Sequence, residues 1–112
     1  MLDWCTEHGS AFLAWAPLAS GFLTDEFDLA ALAPDDLRHR LPWASRDLTG
    51  LLGRLAAVGA RHGVPAHRVA LAWTTRRPGT YAIVGARTAA EAADLGPLPV
   101  VTAADLAELS GA

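Results

Sequence analysis

Two short apolar runs predict the strands of this protein. The first, 11–16, is continuous rather than alternating and ends at Pro17. Continuous apolarity over so few residues is typical of a strand that is buried on both faces, as in a parallel sheet. The second run, 81–84, follows the turn-forming pair Pro78-Gly79 and predicts a second strand.

Apolar residues recur at helical spacing in two further segments. Residues 2–8 predict a short helix that Gly9 stops, and 47–62 predict a longer amphipathic helix that Gly63 stops. The apolar stripe of the longer helix consists of Leu48, Leu51, Leu52, Leu55 and Val58. Glycines inside this segment lower its intrinsic helix propensity, so we expect tertiary packing to hold it.

Another helix is expected directly after this one. Pro65 suits the first turn of a helix that runs to about Arg76. The spacing predicts that Val69, Ala72 and Trp73 form its buried stripe.

The terminal part of the chain, 88–109, predicts two short helices. Thr88 and Glu91 have the spacing of a capping box, and Pro97 ends the helix that they would begin. Thr102 is the expected cap of a last helix over 103–109.

Two loops separate the first strand from the first long helix. Residues 17–24 form a turn-rich loop, and 25–46 form an irregular, charged excursion with little regular structure. Strands that alternate with helices indicate a parallel α/β architecture. Because two strands leave edges uncovered and a closed eight-stranded barrel needs about 250 residues, we expect this single partial domain to be the tail of a larger fold.

Composition narrows the class of protein. The 112 residues are 52% hydrophobic and 19% charged, which excludes a disordered chain. A net charge of −3 gives no reason to expect nucleic acid or an anionic membrane as partner. The basic residues are all Arg, so a reaction that needs lysine cannot be completed by this sequence.

Cysteine usage and the apolar segments point to a cytoplasmic protein. Cys5 is the only cysteine, which excludes an intrachain disulfide and a cysteine-based zinc site. The N-terminus lacks the basic region of a signal peptide. The longest apolar stretch, 11–23, is interrupted and falls short of the ~20 residues that a membrane helix needs.

Three ordered motifs resemble the C-terminal third of the aldo/keto reductases. They are WAPLASGFLT at 15–24, HGVPAHRVALAW at 62–73 and IVGART at 83–88. The resemblance implies an α/β fold that is the C-terminal portion of a (β/α)8 TIM barrel. On it, 11–16 is the seventh strand, 47–76 contains the helices that follow, and 81–84 is the eighth strand.

The resemblance also implies an NADP(H)-dependent oxidoreductase that reduces small carbonyl compounds by hydride transfer. Phosphate sites of such barrels lie in the loops after strands seven and eight. Leu18, Ser20 and Gly21 match positions that line the cofactor pyrophosphate, although an ordinary strand-terminating turn has the same composition. Trp15 matches the aromatic residue beside the cofactor pocket, with a core or loop anchor as the alternative.

The second loop matches the region that holds the 2′-phosphate and the adenine. Gly85 and Thr88 flank Arg87, whose guanidinium would bind the 2′-phosphate unless it is simply solvated. Glu91 stands where the family often has glutamine or arginine, so it would repel phosphate or serve only as a capping partner. Asp94 would contact adenine or be a solvated helix charge.

The catalytic residues of the family are an aspartate, a tyrosine, a lysine and a histidine, and none has a matching position here. No metal site is predicted either, because His62 and His67 are separated by a glycine and a proline. The first hypothesis is therefore the cofactor-binding segment of a reductase, inactive by itself. The alternative is a non-catalytic interaction protein that completes another barrel piece or self-associates through exposed strand edges.

Overall fold

The computed structural model describes residues 1–111 and contains two strands and five α-helices in that range. The strands are β1 (Phe12–Trp15) and β2 (Thr80–Ile83). The helices are α1 (Leu2–Glu7), α2 (Thr49–His62), α3 (Ala66–Thr74), α4 (Ala89–Ala93) and α5 (Ala103–Leu109). The elements expected from the sequence are all present, with ends that differ by one to two residues for most of them.

The two strands pair in parallel, as expected. Phe12 lies opposite Thr80, and Trp15 lies opposite Ile83. A parallel pair needs a long crossover connection, and the segment that contains α2 and α3 provides it. The chain is therefore a mixed helix and strand structure with a two-stranded parallel sheet.

The prediction that the first strand is buried on both faces is wrong. Phe12 and Ala14 are half-buried, whereas Leu13 and Trp15 are exposed, Trp15 to 78%. On β2, Tyr81 and Ile83 are exposed beside them. The physical reason is that helices among residues 1–111 cover only one face of this sheet.

The core lies between α2, α3 and α5. Val58 of α2 and Val69 of α3 are completely buried, and Leu55 and Leu109 pack beside them. This packing confirms the apolar stripe of the first long helix at Leu51, Leu52, Leu55 and Val58, whereas Leu48 precedes the helix as its N-cap residue and is not part of the core cluster.

The stripe predicted for α3 is only partly right. Val69 and Ala72 are buried, but Trp73 is exposed. The helix turns Ala66, Val69 and Ala70 toward the core, so Trp73 lies at its rim. There the guanidinium of Arg76 stacks 4.0 Å above the indole ring and shields part of it from water.

Helix ends follow the local signals with one correction. Gly63 adopts the left-handed conformation at φ 66° and ends α2. Thr88 caps α4 through its hydroxyl, which accepts from Glu91 N at 3.1 Å. The reciprocal bond of a capping box is absent, because the Glu91 carboxylate accepts from Arg87 N instead. This helix ends at Ala93, before the proline.

A buried carboxylate holds α5 against α2. Asp105 is 2% exposed and completes a capping box with Thr102. Its Oδ1 accepts from Arg61 Nη2 at 2.8 Å, and its Oδ2 lies 2.8 Å from His62 Nε2. These hydrogen bonds, with that of Arg61 first, hold the pKa of the Asp105 carboxyl far below its usual range.

The segment 25–46 is irregular, as expected. It contains short 3-10 turns at Leu29–Ala31 and Leu37–Arg40, which Asp28 and Asp36 cap. Arg38 pairs with Asp36 at 2.7 Å, so part of the charge in this segment is balanced internally. Within residues 1–111, no helix has the length and apolarity that crossing a membrane would need.

Candidate cofactor site

The two candidate loops begin at the same end of the sheet, where both strands have their carboxyl ends. Because the strands are parallel and Trp15 lies opposite Ile83, β1 and β2 end side by side. The carboxyl ends of parallel strands are where ligands bind in α/β folds. The register thus brings the segments 16–25 and 84–94 to one end of the sheet.

The first loop has an unusual backbone conformation. Ala16, Ala19 and Ser20 have positive φ values of 52°, 51° and 60°, and Gly21 follows at 96°. Positive φ is disfavoured for residues other than glycine, at a cost of order 1–3 kcal/mol each, and such residues cluster at functional sites. The backbone is held by Leu23 N, which donates to Leu18 O at 3.2 Å, and by the Trp43 indole, which donates to Ala19 O at 3.1 Å.

This conformation leaves donors available in the loop. The backbone amides of Leu18 and Ser20 make no hydrogen bond to any residue between 1 and 111. Ser20 is exposed, while Leu18 and Gly21 are half-buried. Unpaired amides in a turn with left-handed residues are suited to binding an anion, and a pyrophosphate group is such an anion.

The second loop has its arginine on the surface. Arg87 is 83% exposed at the side chain, and its Nη2 lies 3.0 Å from Glu91 Oε1. The other oxygen of that carboxylate accepts from Arg87 N at 2.7 Å. These contacts, with the backbone bond first, lower the pKa of Glu91 below its usual value. Gly85 and Thr88 are exposed on either side.

Glu91 therefore does more than the capping role expected as its alternative. It binds both hydrogen-bonding groups of Arg87, the backbone amide and the guanidinium. A phosphate that approached Arg87 would find a carboxylate already there. Sequence spacing could suggest the four-residue ion pair, but the bond to the backbone amide depends on the turn.

Asp94 is exposed, its side chain to 52%, and it is also paired with two basic residues. Its Oδ1 lies 3.0 Å from Arg68 Nη2, and its Oδ2 lies 2.9 Å from His67 Nε2. Its backbone carbonyl accepts from Arg68 Nε at 2.7 Å. Sequence reasoning missed His67 and Arg68, although the arginine is a signal, since the helix dipole disfavours a cation in the first turn.

A second long-range contact reaches the same helix. Asp25, which directly follows the first loop, accepts a hydrogen bond from Ala66 N through its Oδ2 at 3.2 Å. This contact was also missed, because nothing local connects residues separated by 41 positions.

No metal-binding group was found in the part of the chain that the structure describes: residues 1–111 contain no cluster of three or more His, Cys, Asp or Glu side chains. His62 and His67 each lie beside a different aspartate, Asp105 and Asp94. Both histidines therefore take part in contacts between helices and loops.

The match to known families covers the strands and both loops. A family model described as the aldo/keto reductase family matches residues 1–97. The chain belongs to the aldo/keto reductase family. This family consists of oxidoreductases that generally use nicotinamide cofactors. The matched range of this aldo/keto reductase chain includes both candidate cofactor loops, and α5 lies beyond it. No curated protein matches the chain significantly.

Proposed function

We propose that this chain forms the cofactor-binding end of an NADP-dependent aldo/keto reductase barrel, with β1 and β2 as its seventh and eighth strands. The observation that carries the proposal is the parallel register. In it, Trp15 lies opposite Ile83, and both loops begin at the carboxyl end of the sheet. An extended dinucleotide could then contact both loops at once. We also propose a cytoplasmic location, which the cysteine usage and the apolar segments of the sequence favour.

The first loop would hold the pyrophosphate. The unpaired amides of Leu18 and Ser20 supply donors, and Gly21 lets the backbone turn at φ 96°. The strain at Ala19 and Ser20 supports a functional role, because the structure must hold such residues in place. Trp15, exposed on the open sheet face just before this loop, would lie beside the nicotinamide end.

The second loop would hold the adenosine end. Arg87 supplies a planar guanidinium that distinguishes a 2′-phosphate from a hydroxyl. Gly85 and Thr88 flank it in the turn that presents it. Glu91 competes for Arg87, and Asp94, whose carboxylate oxygens are both paired, holds the end of the segment near the adenine.

In the proposed reaction, the bound cofactor and the residues of this chain would have different roles. When bound, the cofactor supplies the hydride that reduces a small carbonyl substrate. The residues of this chain bind and orient that cofactor. The sequence contains no lysine and no residue at the family's catalytic positions. We therefore propose that the chain alone does not oxidise NADPH in the presence of an aldehyde, which a spectrophotometric assay would test directly.

Replacing Arg87 tests the cofactor assignment. Arg87→Ala should weaken NADPH binding by about 1.5 kcal/mol, the low end for hydrogen bonds to charged groups, because the side chain is exposed. NADH binding should stay nearly unchanged, and so should both affinities in the control variant Arg40→Ala. Nuclear magnetic resonance titration of the full chain measures these affinities. Equal loss for both cofactors would mean that Arg87 only supports the loop.

A second candidate function rests on the open face of the sheet. Leu13 and Trp15 lie in register with Tyr81 and Ile83, and these four apolar side chains are exposed. Both strands also have an unpaired edge, which favours further strand pairing. We propose that a second copy of this chain covers this face in the absence of other strands.

Sedimentation equilibrium tests this association. Leu13→Glu should abolish a concentration-dependent dimer, whereas Leu37→Glu should not, since Leu37 is more exposed, at 73% against 60%, but lies outside the sheet. A monomer at every concentration would contradict the association. A dimer that binds no nucleotide would favour the interaction protein over the reductase segment.

A further inference from the structure

Helix α3 begins without local support for its N-terminus. Its N-cap is Pro65, which offers no side-chain hydrogen bond, and its first turn contains no acidic residue. Two basic residues, His67 and Arg68, occupy that turn. Because the N-terminal end of a helix carries partial positive charge, cations there are unfavourable unless something compensates.

Two distant aspartates provide that compensation. Asp25 accepts from the backbone amide of Ala66, and Asp94 pairs with both His67 and Arg68. Each aspartate is the last residue of one of the two candidate cofactor segments, 16–25 and 84–94. Asp25 directly follows the first loop, and Asp94 directly follows α4. The two segments therefore end on the same turn of the same helix.

Arg68 holds both the backbone and the side chain of Asp94. Arg68 reaches the carboxylate with Nη2 at 3.0 Å and the main-chain carbonyl with Nε at 2.7 Å. The side chains of Arg68 and His67 are 17% and 13% exposed, whereas the Asp94 side chain is 52% exposed, so water screens this contact only from the side of the aspartate. A guanidinium held at two atoms of one residue restricts where that residue can lie.

We propose that the first turn of α3 is a common anchor that sets the relative position of the two cofactor segments. Asp25, His67 and Arg68 are its positioning residues, and none of them needs to touch the cofactor. This inference rests on the proposed function, because the segments matter for binding only if they hold a dinucleotide.

The anchor affects whole and partial ligands differently. NADP+ spans both segments, so its binding depends on their separation. Adenosine 2′,5′-bisphosphate carries only the adenosine end and contacts only the second segment. Loss of the Asp25 contact should therefore weaken NADP+ alone, whereas loss of the Arg68 contact should weaken both ligands.

Amide hydrogen exchange on the full chain tests the anchor without any ligand. In Arg68→Ala, amides of 88–94 should exchange at least about tenfold faster, while those of 18–24 stay unchanged. Asp25→Ala, which removes the acceptor of the Ala66 amide, should give the reverse pattern. Arg76→Ala is the matched control just beyond the C-terminal end of α3, where the Arg76 side chain donates to Trp73 O and stacks on its indole ring. Asp28→Ala is the matched control for an aspartate that accepts from a backbone amide.

Titration with the two ligands tests the positioning role. Asp25→Ala should weaken NADP+ about threefold to tenfold and leave adenosine 2′,5′-bisphosphate unchanged. Arg68→Ala should weaken both by a similar factor. Should that variant unfold, Arg68→Lys keeps the charge but not the second hydrogen bond and should give a smaller loss in the same direction.

The outcomes separate the two proposals. Unchanged exchange in 88–94 for both Arg68 variants overturns the anchor, whatever binds. Faster exchange with unchanged affinities overturns the positioning role. If the wild type binds neither ligand while the exchange pattern appears, the proposed function fails and the positioning role fails with it, although the structural anchor stands.

Discussion

Gly59 offers a quantitative test of the packing between α2 and the first turn of α3. A Cβ built on Gly59 would lie 2.5 Å from the carbonyl oxygen of Val64 and 3.6 Å from the amide of Ala66. Real Cβ atoms do not approach backbone oxygen so closely, so Gly59→Ala must push the turn away from α2. Because that turn leads into α3, the shift also reaches the anchor proposed for the cofactor segments.

The expected magnitude follows from two opposing effects. Alanine favours a helix interior by up to ~1 kcal/mol over glycine. Overpacking against a backbone atom costs about 1–3 kcal/mol, and the 3.0 Å hydrogen bond from Val64 N to Gly59 O would be strained as well. We expect Gly59→Ala to lower the free energy of unfolding by about 1–2 kcal/mol.

Gly53 provides the matched control on the same helix. A Cβ there meets nothing within 4 Å, so Gly53→Ala should show the helix preference alone. It should raise the free energy of unfolding by about 0.5–1 kcal/mol. In a chain of 112 residues, 1 kcal/mol corresponds to about 4 °C in the melting temperature.

Thermal unfolding followed by circular dichroism at the helix band measures both variants. The two substitutions should move the melting temperature in opposite directions. If Gly59→Ala stabilises the protein as much as Gly53→Ala does, the close approach of α2 to the turn is not present in solution.

Two further predictions concern charge. Glu91→Gln should tighten NADPH binding about two- to fivefold and leave NADH binding unchanged, because it removes the carboxylate that competes for Arg87. Calorimetry measures both affinities. A weaker NADPH affinity in this variant would contradict the competition. The lowered pKa of Asp105 means that its contribution to stability is complete above the unfolded value, near 3.9, and is lost as the pH falls below it. Acid should therefore raise hydrogen exchange in α5 before α2, and Asp105→Asn should show the same loosening already at pH 7.

Local sequence signals determined the elements and their order. The glycine at 63, the threonines at 88 and 102, and the apolar spacing in α2 act within a few residues, so they could be read without a structure. The three ordered motifs likewise identified the family that the family model matches. None of these inferences required knowledge of long-range contacts.

Tertiary structure alone decided which faces are covered and what the charged residues contact. The exposure of Trp15 depends on which elements stack on the sheet, and that of Trp73 on how α3 rotates against α2. The contacts of Asp25 and Asp94 join residues 26 to 41 positions apart, where no periodicity operates. Burial and ion pairing depend on distances through space, and the chain sets those only when its helices pack.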